Sequence, residues 1–194
     1  MHNCFALVQA AAEEGHRVYA LSRNLRTLDQ TVLVKPEAID ITNHEAVSKW
    51  TKQLHNKQVK VDALINNAGA LVNKSFRDTE PEDFEAVYRV NVFGLANLTR
   101  LLLPSIHPKG HVVNISSMGG IEKTAKFPGL AAYSSSKAAV NILTELLAEE
   151  YKSTGPAFNG LALGAVQTEM LSEAFPCFEA PHTSADMASY ILKF

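Results

Sequence analysis

The sequence predicts an α/β protein with a parallel sheet covered on both faces, in a doubly wound arrangement. Three observations carry this. Short apolar runs alternate along the chain with longer segments whose apolar residues recur at helical spacing. The runs are nearly continuous in apolar residues, as in strands buried on both faces. The segments between them are long enough for crossover helices, and right-handed crossovers wind such units onto both sides of the sheet.

The elements follow in order. Residues 5–14 are alanine-rich and read as a helix stopped by Gly15, the residue that adopts a left-handed terminus most easily. Residues 17–21 form a short buried-type strand. Residues 31–41 are ambiguous, with a strand end predicted at 38–41. Thr42 or Asn43 can cap a helix reaching about Asn56, with Ala46, Val47, Trp50 and Leu54 on one face. Residues 61–65 form the next strand. A long helix is predicted over 81–103, with Pro81 in its first turn and Pro104 beyond its end. A strand at 111–115, a glycine-rich loop at 118–129, a helix at 130–152 and a strand at 158–163 follow. The segment 168–181 reads as irregular or short helix, and 184–193 as a final helix. The whole chain, 1–194, reads as one domain.

Composition narrows the function classes. The 194 residues are 46% apolar and 20% charged, and the net charge is −2. No run of lysine or arginine suggests a nucleic-acid or anionic-membrane partner. No apolar stretch approaches the roughly 20 residues that span a bilayer. The first residues lack the pattern of a secretory signal, so the expected compartment is the cytoplasm. Cys4 and Cys177 are far apart and read as reduced thiols. The seven histidines show no metal-ligand spacing.

The most informative residues are Tyr133 and Lys137, at i and i+4 in a helical run. There the phenol and the ammonium share one face, one turn apart. A free tyrosine, with a pKa of about 10, exchanges protons poorly at neutral pH. A neighbouring cation favours the phenolate, so the pair is expected to lower the tyrosine pKa and suit it to acid–base work on an alcohol or carbonyl oxygen. Ser117 follows the 111–115 strand, where open α/β sheets line their ligand crevice. Alone, it reads more readily as a turn serine satisfying local backbone. As a hydrolase nucleophile it is disfavoured, because no G-x-S-x-G elbow surrounds it. Asn91, a poor helix former, sits inside a helical pattern. Asn66, Asn67, Ala68 and Gly69 end a strand with small residues that let backbone approach a ligand.

Together, the Asn-Asn-Ala-Gly run at 66–69, Asn91, Ser117 and the Tyr133/Lys137 pair, in this order, resemble the short-chain dehydrogenase/reductase family over nearly the whole chain. The resemblance implies a Rossmann-type, three-layer fold and reversible hydride transfer between a nicotinamide cofactor and a small carbonyl or alcohol substrate. It makes Tyr133 the acid–base, Lys137 the holder of the nicotinamide ribose, and Ser117 rather than Ser116 the substrate-orienting serine. It makes Asn91 the residue that disturbs its helix and relays protons toward Lys137. Asn66, Ala68 and Gly69 would border the adenosine side, Asp40 the adenine, and Gly164, Val166 and Thr168 the nicotinamide amide. Ser22 stands where the family's NAD(H)-preferring members carry an acid, and Arg23 follows it. An arginine suits a 2′-phosphate, so NADP(H) is expected over NAD(H). Homodimers or homotetramers are implied, pairing through 81–103 and 130–152.

The chain departs from the family pattern in several places. Ser117 stands farther from the tyrosine than usual, with the excess expected around 123–126. Leu163 replaces the usual proline. The family's opening strand and Gly-rich phosphate turn have no counterpart, with His2, Asn3 and Cys4 falling inside the turn. The expectation is a fold incomplete at both ends and weak cofactor binding. The alternative is a non-catalytic member of the same fold with a scaffold or regulatory role.

Overall fold

A computed structural model describes residues 2–25 and 30–194, with side chains from Phe5 onward. In chain order the elements are α1 (His2–Glu13), β1 (Val18–Ser22), β2 (Val34–Ala38), α2 (His44–Asn56), β3 (Val61–Asn66) and α3 (Pro81–Tyr88). A π-helical turn (Arg89–Gly94) leads into α4 (Leu95–Leu102), then β4 (Ile106–Ser117), α5 (Ala131–Glu150) and β5 (Ala157–Leu163). The chain ends with β6 (Val166–Gln167), α6 (Glu169–Ala174), β7 (His182–Thr183) and α7 (Ser184–Lys193). All strand pairing among the described residues is parallel, in the groups β1-β2, β3-β4-β5 and β6-β7. This is the predicted α/β class, with a Rossmann-type alternation of strand and helix. The chain divides into two compact units, Met1–Asp40 with Ala165–Phe194, and Ile41–Gly164.

In the first unit, α1 ends as its sequence dictates. Gly15 takes φ +87°, its N–H donates to the Ala12 carbonyl, and the His16 N–H donates to that of Ala11. The helix begins at His2, at the positions where the family pattern has its phosphate turn and this sequence is expected to lack one. No glycine at 2–4 supplies the backbone freedom such a turn needs. Val8, Ala20 and Val34 bury together, with Ala12 and Val18 against them. That packing sets β2 at 34–38 rather than at 38–41, because Val34 is the residue the apolar cluster takes. β6 and β7 are two residues long each, too short to leave a periodic signal in sequence. Thr183 and Asp186 cap α7 reciprocally, and α7 packs on α1.

In the second unit, Asn43 rather than Thr42 caps α2, its Oδ1 accepting from the Ala46 N–H at 3.0 Å. The helix expected at 81–103 is interrupted by the π turn, with Asn91 fully buried inside it. β4 runs longer than predicted, and α5 packs on both β4 and β5. A polar chain crosses this sheet below the surface. Asn66 Nδ2 donates to Asn114 Oδ1 (2.8 Å) and Thr99 Oγ1 (3.0 Å), and Asn114 Nδ2 donates to Thr144 Oγ1 (2.8 Å). The Thr144 hydroxyl then donates to the Val140 carbonyl at 2.7 Å. These groups are buried and paired, so they tie α4 and α5 to the strands without an orphan's cost.

Candidate active site

The site is built at the carboxyl ends of three parallel strands. β3 ends at Asn66 and runs into Asn67, Ala68 and Gly69, β4 ends at Ser117, and β5 is followed by Gly164. Parallel pairing puts these ends on one edge of the sheet, where ligands bind in open α/β folds. The first turns of α5 bring Tyr133 and Lys137 to the same place. Ser117 and Ser116 point to opposite faces because strand side chains alternate. Ser117 lies against the Tyr133 phenol, where its hydroxyl favours the ionised form, and it accepts from the Gly119 N–H at 3.2 Å. Ser116 is buried and donates to the Lys137 carbonyl at 3.1 Å.

Lys137 is buried, and its Nζ donates to the Ile115 carbonyl at 2.8 Å. The ammonium lies 5.8 Å from the centre of the Tyr133 ring. Burial pulls the Lys137 pKa down to about 8. Tyr133 moves the other way from the expectation. Loss of water round its hydroxyl raises the phenol above its ordinary value, and the Ser117 hydrogen bond offsets this only in part. The predicted lowering by Lys137 is therefore corrected: desolvation dominates, and only the Ser117 contact opposes it. The protonated phenol suits a proton donor to a carbonyl oxygen.

Asn91 completes the arrangement. Its Oδ1 accepts from the Ala70 N–H at 2.7 Å, and its Nδ2 donates to the Ala70 carbonyl at 3.0 Å. The same Nδ2 donates to Ser136 Oγ at 2.9 Å. The loop that begins with Asn66 is thus pinned one residue beyond Gly69. The Asn66 carboxamide is committed to Thr99 and Asn114, which leaves the backbone of this loop to face a ligand. A Cβ added at Gly164 would meet open space.

The remaining predicted site residues belong to the other unit. Arg23 is exposed just past β1, in a turn where Ser22 Oγ donates to the Asn24 carbonyl (2.9 Å) and accepts from the Asn24 N–H (3.3 Å). Asp40 is half-buried after β2. Val166 is buried in β6, and Thr168 caps α6, its Oγ1 accepting from the Leu171 N–H at 3.1 Å.

Sequence reading misses Asn114, Thr99, Thr144, Ser136 and Gly120. A Cβ at Gly120 would stand 2.7 Å from the backbone of Lys137 and Ala138, so only glycine lets this turn lie on α5. Loop 118–129, with its extra length, is tied within itself. Thr124 Oγ1 donates to the carbonyls of Met118 (2.6 Å) and Ile121 (2.9 Å), and Lys126 Nζ donates to the Ile121 carbonyl.

The fit to a nicotinamide cofactor rests on donor chemistry. Lys137 carries three N–H donors and spends one on Ile115, which suits it to a ligand's hydroxyl groups. The small residues after β3 and after β5 leave backbone accessible at the strand ends. A model of the short chain dehydrogenase family matches residues 4–176. An oxidoreductase of Botryotinia fuckeliana is 32% identical over 172 residues, which cover 84% of this chain and 62% of that protein. The chain therefore spans less than two thirds of that relative's length. The 3-oxoacyl-(acyl-carrier-protein) reductase of Thermotoga maritima is 30% identical over 169 residues, 82% of this chain and 68% of the reductase. A solved structure of a 4-hydroxyisoleucine dehydrogenase mutant complexed with NADH and succinate matches with a TM-score of 0.85 at 26% identity, covering 96% of this chain and 84% of that one. The chain belongs to the short-chain dehydrogenase family.

The low Lys137 pKa makes stability depend on pH. Below about pH 8 the lysine is charged in both the folded and the unfolded chain, and the folded chain carries the full desolvation cost. Between about pH 8 and 10.5 the folded chain binds fewer protons than the unfolded one, so this group raises stability with pH. The rise is about 3 kcal/mol at 1.36 kcal/mol per unit. Tyr133, raised, acts in the opposite sense above pH 10. Lys137→Met should remove the rise, read as the difference between wild-type and variant urea midpoints across this window. Parallel curves would show that Lys137 does not carry the effect.

Proposed function

We propose that this chain, acting over 1–194 as one dehydrogenase domain in the cytoplasm, interconverts a carbonyl and an alcohol using a nicotinamide cofactor. The observation that carries the reading is the Ser117–Tyr133–Lys137 grouping at the strand ends, braced by Asn91. The cofactor, when bound, supplies or accepts the hydride. Ser117 holds the substrate oxygen beside the phenol, and Tyr133 gives that oxygen its proton in reduction. Lys137 stays largely charged at neutral pH, binds ribose hydroxyls and supports the phenolate left behind. Asn91 fixes the loop from Asn66 to Ala70, where Ala68 and Gly69 offer backbone to the cofactor. Gly164, Val166 and Thr168 serve its nicotinamide amide and Asp40 its adenine. Tyr133→Phe keeps the ring and removes the proton, so carbonyl reduction should fall by at least ~10²-fold while cofactor still binds. A variant as fast as wild type would take Tyr133 out of the mechanism.

For the cofactor we infer a preference for NADP(H). Arg23 is exposed at the end of β1, in a turn that Ser22 and Asn24 hold by their own hydrogen bonds, and no carboxylate occupies Ser22's place. Arg23→Asp exchanges a charge-assisted phosphate contact for repulsion and should reverse or erase the preference. Dissociation constants for NADPH and NADH at one fixed salt concentration give the answer. Equal affinities in the unmodified protein would refute the role of Arg23.

We also infer a homodimer, or a tetramer built from it. Ile142 and Leu146 are exposed one turn apart on α5, and Phe93 is exposed on the π turn against Tyr88. Such apolar groups favour burial against a second copy. Leu146→Glu should shift the protein to monomer in sedimentation velocity. A monomeric wild type would contradict the assignment.

A further inference from the structure

We propose that Ser136 is a positioning residue: its hydroxyl holds the Tyr133 turn of α5 against the Asn91 carboxamide and thereby sets the approach of the phenol to Ser117. Ser136 is fully buried. Its Oγ accepts from Asn91 Nδ2 at 2.9 Å and donates to the Tyr133 carbonyl at 2.6 Å. Asn91 in turn holds both backbone groups of Ala70. An unbroken series of hydrogen bonds thus runs from the loop after β3, through the π turn, to the peptide of Tyr133.

The direction of each bond is fixed by chemistry. A carboxamide nitrogen only donates and a peptide carbonyl only accepts, so the hydroxyl between them must accept from one and donate to the other. Serine does both in one atom, in a space with no exposure. Alanine would leave Asn91 Nδ2 short of one partner and release the turn. The next turn of α5 is held separately, by Ser116 Oγ on the Lys137 carbonyl. Removing the Ser136 contact therefore frees the Tyr133 turn while the next stays tied, which tilts Tyr133 rather than unfolding it.

The activity arm of the test rests on the proposed function, and the titration arm does not. Ser136→Ala is compared with Ser136→Cys, which keeps nearly the same volume but offers only a weak donor and acceptor. Tyr133 ionisation is followed by carbon-13 NMR of labelled tyrosine, with Tyr133→Phe assigning the signal. In both variants the phenol should titrate closer to an ordinary tyrosine, as the ring gains water. The kcat for carbonyl reduction should fall about 10–100-fold, as misplacement of a reacting group does, with KM little changed. A lower melting temperature with unmoved titration and unmoved kcat would overturn the proposal, since a structural role alone predicts that pattern. If Ser136→Ala fails to fold, Ser136→Cys decides by the same criteria. An unmodified chain with no reductase activity would sink the proposed function, and the titration would then judge Ser136 by itself.

Discussion

The carboxamide of Asn91 is the point on which the candidate site depends. It sits where the backbone has the extra width of a π turn, and that width turns the side chain away from its own helix. An asparagine in a regular helix competes with its own backbone and is unfavourable. Here the competition is resolved by burial and full pairing, with one acceptor bond and two donor bonds, all within 3.0 Å. A polar group this deep is stable only with its partners in place. The strand-end loop at Ala70 and the helix at Ser136 are therefore constrained to one relative position. The chain Thr99–Asn66–Asn114–Thr144 applies the same logic one layer further into the sheet.

Two opposing effects decide the chemistry of Tyr133. The Ser117 contact favours phenolate, and removal of water favours phenol. The second effect wins, and the ammonium, 5.8 Å from the ring centre, is drawn toward the Ile115 carbonyl. The group is thereby held as an acid. Lys137 itself suffers from the same burial, yet a value near 8 leaves it mostly cationic at neutral pH. Burial thus tunes both groups, but it neutralises neither partner's usefulness.

Side chains whose chemistry shows in spacing could be read from sequence. Tyr133, Lys137 and Ser117 were legible because helix and strand periods place them, and Asn91 because it is a misfit in a helical pattern. Gly15 was legible because little else closes a helix in that way. Ser136, Asn114 and Thr144 were not, because a serine or threonine in a helix carries no mark of a partner on a distant element. Gly120 stood among other loop glycines, and only the 2.7 Å approach to α5 separates it from them. The direction of the Tyr133 shift was misjudged for a related reason. Spacing reveals the cation but not the depth at which both groups lie. The position of β2 was missed because Val34 and Ile41 look alike until Val8 and Ala20 select one of them.

Loop 118–129 has a consequence for how this scaffold can diversify. Thr124 and Lys126 fasten the loop to its own carbonyls, and the Lys74 N–H donates to the Gly129 carbonyl at its exit, at 3.0 Å. Its entry is held at Gly120 by contact with α5. Both ends are anchored independently of what lies between them. The middle is therefore a replaceable cassette. Extra length costs little in closure entropy, and its side chains can be exchanged while Ser117 and Tyr133 keep their places. The make-up of the loop and the placement of Ser117 and Tyr133 are thus assigned to different stretches of chain, and one can drift while the other is held.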